Sequence, residues 1–134
     1  MRNTPFILAA VLAGSLAGGP AMAQQRLKDV GYVTEGLIAV GIAYEISEVC
    51  GDISARTFRG LAYLNQLRSH ARGLGFSNAE ISAYTDNRQE KDRLEAIARE
   101  RLAAMGATPG DVASHCAVGK AEMAKASAIG TLLR

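Results

Sequence analysis

The chain contains little of what a β-sheet is built from. It has no tryptophan, and only three phenylalanines and four tyrosines among its 134 residues. No segment sustains an alternation of apolar and polar residues, and neither Asn-Gly nor Asp-Gly occurs. Those are the signals of strands and tight hairpins. Helix signals are dense instead, so the sequence predicts an all-α fold, a compact bundle of five to six helices around a buried first helix.

The motifs of common enzyme and cofactor classes are also missing. The chain has no C-x-x-C, H-x-x-x-H, H-E-x-x-H or G-x-S-x-G, and no glycine-rich phosphate loop. Residues of the types that bind zinc occur at unsuitable spacing: Cys50, His70, His115 and Cys116. Pairs of neighbouring carboxylates are typical of solvated helix faces: Glu45 with Glu48, and Glu90 with Asp92. We therefore predict no catalytic residue, cofactor or metal site, with a small hydrolase based on His70 or His115 as a weaker alternative.

The first 23 residues have the layout of a secretory signal peptide. Arg2 supplies a basic start, an apolar run covers residues 6–16, and Ala21-Met22-Ala23 has the small-x-small pattern of a cleavage site. We predict cleavage after Ala23 and a periplasmic location, with an uncleaved N-terminal anchor as the alternative. Residues 24–134 are then expected to form a single all-α domain.

Charge is nearly balanced, which argues against two classes of partner. The chain has 15 basic and 13 acidic residues, and cleavage of the leader removes only Arg2 from this count. A nucleic-acid binder needs a dense basic face, and so does a protein held electrostatically on anionic lipid. Glu35 and Glu45 bracket the most apolar helix, so we expect a soluble protein without stable membrane insertion after cleavage.

Cysteine is scarce, and the two that occur form an obvious pair. In an exported chain, an even number of cysteines indicates a disulfide, here between Cys50 and Cys116. Closing a loop of this length stabilises a fold by about 4 kcal/mol in the chain-entropy model. Such a bond would be the main covalent constraint on the domain.

Two helices are predicted before residue 75. The first, from about Lys28 to Val49, is apolar nearly all round and should be buried: Leu37, Val40 and Tyr44 lie towards one side, and Ile38, Ile42, Ile46 and Val49 on the other. The second should run from Ala55 to Gly73 with Ser54 as its N-cap. Its predicted core side comprises Phe58, Leu61, Ala62, Leu64 and Ala71, together with Asn65, whose buried amide would need hydrogen-bond partners.

Three more helices and a tail complete the prediction. Ser77 and Glu80 fit a capping box at the start of a short third helix, which brings Ile81 and Tyr84 inward. The fourth should begin at Asp86 and end near Met105, with Gly106 as its stop and a narrow apolar stripe: Leu94, Ile97, Ala98, Leu102 and Met105.

The fifth helix, capped by Asp111, turns one face to the core: Val112, Cys116, Gly119 and Met123. Small residues would let this helix approach its neighbour closely: Gly119, Ala117, Ala121 and Ala124. The apolar tail should dock through Ile129, Leu132 and Leu133, with a partner-binding tail as the alternative.

One side of the second helix is the best candidate for an interaction surface. Basic, titratable and aromatic groups fall within about 80° of one another on a helical wheel of the usual pitch: Arg56, Arg59, Tyr63, Gln66 and His70. Such a set could bind an anionic ligand or the acidic surface of a partner. A solvated helix face would have the same composition.

Short segments along the chain carry a resemblance. They are Cys50 followed by Ile53-Ser54-Ala55-Arg56, Leu64-Asn65-Gln66-Leu67, Gly75-Phe76-Ser77, Glu80-Ile81 with Ala83-Tyr84, Glu90-Lys91, Cys116, and Ser127-Ala128-Ile129-Gly130 with Leu132-Leu133-Arg134. Together they resemble a family of small exported alphaproteobacterial proteins of unknown function. The resemblance implies no activity, cofactor or site. It also links the chain to genes for subunits of respiratory NADH dehydrogenase, which implies an accessory contact on the periplasmic face.

These observations leave three hypotheses. The first is a non-enzymatic periplasmic protein that acts through surface contacts with an envelope or respiratory-complex partner. The second is a small-molecule or anion-binding module, which requires a concave pocket beside Arg56, Arg59 and Tyr63. The third is the small hydrolase, which requires a histidine beside a carboxylate or a hydroxyl nucleophile.

Overall fold

The fold is all-α, as predicted, in a computed structural model that describes residues 26–134. The predicted leader and its cleavage site lie outside the described residues. Five α-helices follow one another: α1 (Gly31–Val49), α2 (Thr57–Gly73), α3 (Asn78–Thr85), α4 (Arg88–Ala104) and α5 (Val112–Lys125), with short 3-10 turns at Leu27–Asp29 and Gly130–Leu132. None of the helices in this range combines the length and apolarity that crossing a membrane requires.

Helix α1 lies at the centre and contacts α2, α4 and α5. Its Ile38, Ile42 and Ile46 are buried in a cluster that also receives side chains from α4, α5 and the tail. The helix is not enclosed all round, however. Tyr44 is 61% exposed, and Leu37 and Val40 beside it are only half-buried. The prediction of a buried first helix is therefore confirmed for the isoleucine side and wrong for the Tyr44 side.

Helix α5 packs tightly against α1, and the predicted disulfide is present. Cys50 and Cys116 are bonded, with their Cα atoms 5.5 Å apart. A Cβ added at Gly119 would lie 2.8 Å from the side chains of Ile46 and Ile53, which confirms the predicted close approach. Cys116 and Met123 also pack against the core, as predicted, whereas Val112 is exposed. The predicted contribution of three alanines to the approach is wrong, since all are exposed: Ala117, Ala121 and Ala124.

The tail docks on the core, as predicted. Leu132 and Leu133 are buried against α1. The backbones of Ser54 and Arg134 exchange two hydrogen bonds of 2.8 and 2.9 Å, which forms an isolated antiparallel bridge. The Arg56 amide also donates to the Leu132 carbonyl at 2.8 Å, so residues 54–56 pair with the tail before the helix begins. The predicted N-cap at Ser54 is therefore wrong, and α2 begins at Thr57 without a side-chain cap.

Helix α2 is rotated relative to the prediction. Its buried strip consists of Leu67 and Ala71, with Tyr63 half-buried beside them. Most of the predicted core side faces outward, and only Ala71 was placed correctly: Phe58 is 88% exposed, Leu61 54%, and Ala62, Leu64 and Asn65 are also exposed. Gly36 explains this rotation, because its missing side chain leaves room for Leu67, whose Cδ2 would lie 2.6 Å from an added Cβ.

The remaining helix ends follow local hydrogen-bonding rules. The capping box of Ser77 and Glu80 is formed, and Asp111 caps α5 as predicted. Helix α4 is capped by Asn87, one residue later than expected, since the Glu90 amide donates to the Asn87 side chain at 2.9 Å. Its apolar stripe is confirmed except at one end: Ala98 and Leu102 are buried, Leu94 and Ile97 half-buried, and Met105 exposed. Gly106 stops α4 with a φ of 113°, a conformation that glycine adopts without strain.

Candidate functional site

The five residues of the predicted interaction surface do not share one environment. Arg56 and Arg59 are exposed near the start of α2. Towards its other end, α1 covers the surface with Tyr32. The Gln66 amide donates to the Tyr32 hydroxyl at 2.9 Å, and the rings of Tyr32 and His70 lie 4.3 Å apart. Gln66 and His70 thus help to hold α2 against α1, while the two arginines remain accessible.

Tyr63 lies between these two groups and lines a groove of about 460 Å³ between α1, the end of α4 and the tail. Burial raises the pKa of its hydroxyl, and the neighbouring Tyr32 adds to this. The cation in this groove is Arg101, which forms a bidentate ion pair with Glu35. That pair lowers the pKa of Glu35 and raises that of Arg101. Arg56 and Arg59 are not among the lining residues, so the pocket needed for the anion-binding hypothesis lacks them.

The outward side of α2 has an unusual composition. We call it the α2 outer face. It consists of four exposed residues of α2 and the exposed arginines around them, of which Arg56 directly precedes the helix: Phe58, Leu61, Ala62, Asn65, Arg56, Arg59, Arg68 and Arg72. Helix α2 contains no Asp or Glu, and none of these four arginines forms an ion pair within residues 26–134. The face therefore combines an aromatic ring that is 88% exposed with positive charge that no ion pair neutralises.

The histidines do not form an acid–base centre. His115 is buried, and its Nδ1 lies 2.8 Å from the Asp111 carbonyl oxygen. Because a carbonyl only accepts hydrogen bonds, Nδ1 carries the proton and donates it. Within residues 26–134, neither His70 nor His115 is hydrogen-bonded to a carboxylate or to a hydroxyl. The contacts required for the hydrolase hypothesis are thus not formed in the described part of the chain.

One buried carboxylate was not recognised in the sequence. Glu122 is 7% exposed and accepts a hydrogen bond of 2.7 Å from Lys125. This contact, followed by one from Ser127, holds the pKa of Glu122 below its usual range. Its backbone carbonyl also accepts the Ser127 amide, so we assign it to the junction of α5 and the tail. No group of three potential metal ligands comes together in the described residues.

A second feature missed in the sequence is an apolar groove between α1 and α4. It has a volume of about 360 Å³ and is lined by Leu37, Val40, Gly41, Tyr44, Leu94 and Ala98, with Tyr84 and Thr85 of α3 at one end and charged side chains at its mouth: Glu45, Lys91, Glu95 and Arg99. We call it the α1–α4 groove. Three of these charged residues, Lys91, Glu95 and Arg99, follow one another on α4 at intervals of four. Their position beside Leu94 and Ala98 is the sequence signal that could have indicated the groove.

Comparison with known proteins assigns the chain to a family but gives no activity. No curated protein and no solved structure matches the chain significantly. A family model described as a family of unknown function, DUF5333, matches residues 25–134, which includes every helix described above. The chain therefore belongs to this family of unknown function.

Proposed function

We propose that this chain is a non-enzymatic protein, exported to the periplasm, that binds an acidic protein partner of the cell envelope through the α2 outer face. The single observation that supports this most strongly is the position of Phe58. Its side chain is 88% exposed on a helix whose charged side chains are all basic. A ring so placed contributes nothing to the core, and its exposure to water is unfavourable.

The chemistry of the face indicates the kind of partner. Aromatic residues and arginine are enriched where proteins bind one another. Burial of Phe58 in an apolar pocket of the partner would contribute about 1.5–3 kcal/mol, and burial of the exposed half of Leu61 would contribute roughly half as much. Arginines bind carboxylates through two parallel hydrogen bonds, so carboxylates around that pocket would complement Arg56 and Arg59. The partner is therefore expected to carry an apolar pocket with an acidic rim.

The leader and the family resemblance suggest where to look for this partner. A signal peptide directs the mature chain to the periplasm. The partner should therefore be a protein or complex of the cell envelope that exposes a surface to the periplasm. The resemblance to proteins linked with respiratory NADH dehydrogenase genes makes a respiratory complex the first candidate. The export step has its own test: mass spectrometry of the periplasmic fraction should find a chain beginning at Gln24, and an intact leader in that fraction would refute cleavage.

Binding is tested by cross-linking in the periplasm followed by affinity purification. We expect one protein to be recovered with the wild-type chain and lost with Arg56→Glu plus Arg59→Glu, or with Phe58→Ser. The matched control is Arg88→Glu plus Arg99→Glu on α4, which changes the net charge equally and leaves the α2 outer face intact. Recovery of the same protein with the α2 variants and the control would refute this surface as the binding site.

A membrane surface is the alternative occupant that this experiment must exclude. Phe58, Leu61 and the arginines could in principle contact anionic lipid. Sedimentation with vesicles containing phosphatidylglycerol separates the two cases. We expect no co-sedimentation at physiological ionic strength, and binding that is lost on Phe58→Ser would replace the proposed protein partner by lipid.

A further inference from the structure

The α1–α4 groove lies outside the α2 outer face, and its construction suits a small molecule. Its volume of about 360 Å³ falls at the lower end of the range of about 300–1,000 Å³ found for small-molecule sites, which are mostly apolar with a few polar groups. The groove is deep at Gly41, because this residue has no side chain to fill it. An added Cβ there would lie 3.4 Å from the Ala98 Cβ.

The charges at its mouth are balanced. Two cations and two anions lie there: Lys91, Arg99, Glu45 and Glu95. Arg99 pairs loosely with Glu95 at 3.9 Å. Neither Glu45 nor Lys91 forms an ion pair within residues 26–134, so one accessible charge of each sign remains. A ligand with a net charge would be attracted by one of them and repelled by the other, whereas an uncharged ligand meets no such conflict.

Tyr84 contributes its ring to one end of the groove. Its hydroxyl is buried and has Glu90 and Arg93 as charged neighbours. Burial, followed by Glu90, raises the pKa of the hydroxyl above its usual value. The hydroxyl is therefore not accessible from the groove, and the ring adds to the apolar lining.

We propose that the α1–α4 groove binds a small uncharged amphiphile, with its apolar chain against Leu37, Val40 and Leu94 and its polar head group at the mouth of the groove. The apolar lining favours the chain, and the balanced charges at the mouth disfavour a charged head group. This site is independent of the proposed partner surface and needs no contact with it.

Three probes that differ only in head-group charge test the proposal. They are 1-decanol, decanoate and decylammonium, titrated below their solubility limits into the mature chain and followed by heteronuclear NMR. We expect 1-decanol to bind at least about tenfold more tightly than either charged probe, with chemical-shift changes centred on the groove residues. Equal or tighter binding of decanoate or decylammonium would overturn the choice of ligand, and so would the absence of binding by 1-decanol.

Variants test the location. Gly41→Leu places a side chain in the groove, and we expect it to weaken 1-decanol binding at least about tenfold. Phe58→Ser on the α2 outer face is the matched control and should leave 1-decanol binding unchanged. Unaltered binding by a folded Gly41→Leu protein would refute the site, and the chemical shifts of the wild-type protein locate the probe even if that variant does not fold.

The same samples exclude a second copy of the chain as the occupant. Sedimentation of the wild-type protein should show a monomer at the concentrations used for NMR. A dimer that dissociates on Gly41→Leu would identify the groove as an interface between two copies and would overturn the proposal of a small-molecule ligand.

Discussion

The two flanks of α1 are held in different ways. On one flank, Gly119 lets α5 approach α1 and Gly130 lets the tail approach the α5 backbone, and a disulfide and a backbone bridge add to the packing. On the other flank, α2 contributes a narrow buried strip centred on Leu67, and its outer side remains apolar and exposed. Stability is therefore concentrated on the α5 flank, which leaves the surface of α2 free to vary without loss of the fold.

The largest expected effect comes from breaking the α5 flank covalently. Replacing Cys50 and Cys116 by serine removes a cross-link between residues 66 positions apart. The chain-entropy model gives a loss of about 4 kcal/mol in the free energy of unfolding, measured by urea denaturation. Wild-type protein in reductant should shift towards the stability of the double variant. A loss below about 1 kcal/mol would show that packing alone holds this flank.

A single methyl group on the same flank should be nearly as damaging. In Gly130→Ala, the new Cβ would lie 2.6 Å from the Met123 amide nitrogen and would overlap the Glu122 carbonyl group. Backbone atoms cannot rotate away as a side chain can, so the tail must shift. We expect a loss of about 3 kcal/mol in urea denaturation. The control is Gly51→Ala, where an added Cβ has no neighbour within 4 Å.

The α2 flank should respond differently at its two sides. Leu67 is 2% exposed, and Leu67→Ala should cost about 2–3 kcal/mol through the cavity that it leaves. Phe58→Ser removes a larger apolar side chain but should change the free energy of unfolding by less than about 0.5 kcal/mol, because almost none of that ring is buried. Thermal denaturation of both variants measures the contrast. Comparable losses would mean that Phe58 packs on the core.

The smallest effect concerns pH and the ion pair between α1 and α4. The hydrogen bond from Arg101 keeps the pKa of Glu35 below its usual range in the folded protein. Its contribution to stability is therefore complete above the unfolded value, about 4.3, and is lost as pH falls through the lower folded pKa. Both side chains are about half exposed, so we expect less than about 1 kcal/mol.

Urea denaturation between pH 6 and pH 3 provides the measurement. Glu35→Gln should be less stable than wild type at pH 6, and the difference should vanish towards pH 3. Glu48→Gln, which alters a carboxylate without an ion pair in the described residues, serves as the control. A difference between Glu35→Gln and wild type that is independent of pH would contradict the assignment to this ion pair.

The features that the sequence predicted correctly depend on local rules or on elimination. The capping box at Ser77 and Glu80 needs only four residues, and Gly106 stops α4 by a conformation that glycine adopts easily. Two cysteines in a chain with a predicted leader admit one intramolecular pairing. The docked tail follows from the cost of exposing Leu132 and Leu133 to water.

The rotation of α2 could not be predicted in this way. The helix has apolar residues on two sides, Phe58 with Leu61 and Tyr63 with Leu67, so hydrophobic periodicity leaves its orientation open. The choice depends on Gly36 of α1, which admits Leu67. Asn65 did carry a signal, because an amide in a predicted core requires partners, and its exposure is the simpler solution. The α1–α4 groove was missed because an apolar helix does not show which of its sides lacks a neighbour.

The disulfide also decides how the protein would carry tension. Cys50 and Cys116 close a ring that contains α2, α3 and α4. Force applied between residues 26 and 134 passes along α1, crosses the disulfide and leaves through α5. The residues of this ring would span roughly 220 Å if fully extended, at about 3.3 Å per residue. They cannot be stretched while the disulfide is intact. Once the tail has released residues 54–56, the α2 outer face is therefore carried on a closed loop that bears no load while both ends of the domain are pulled.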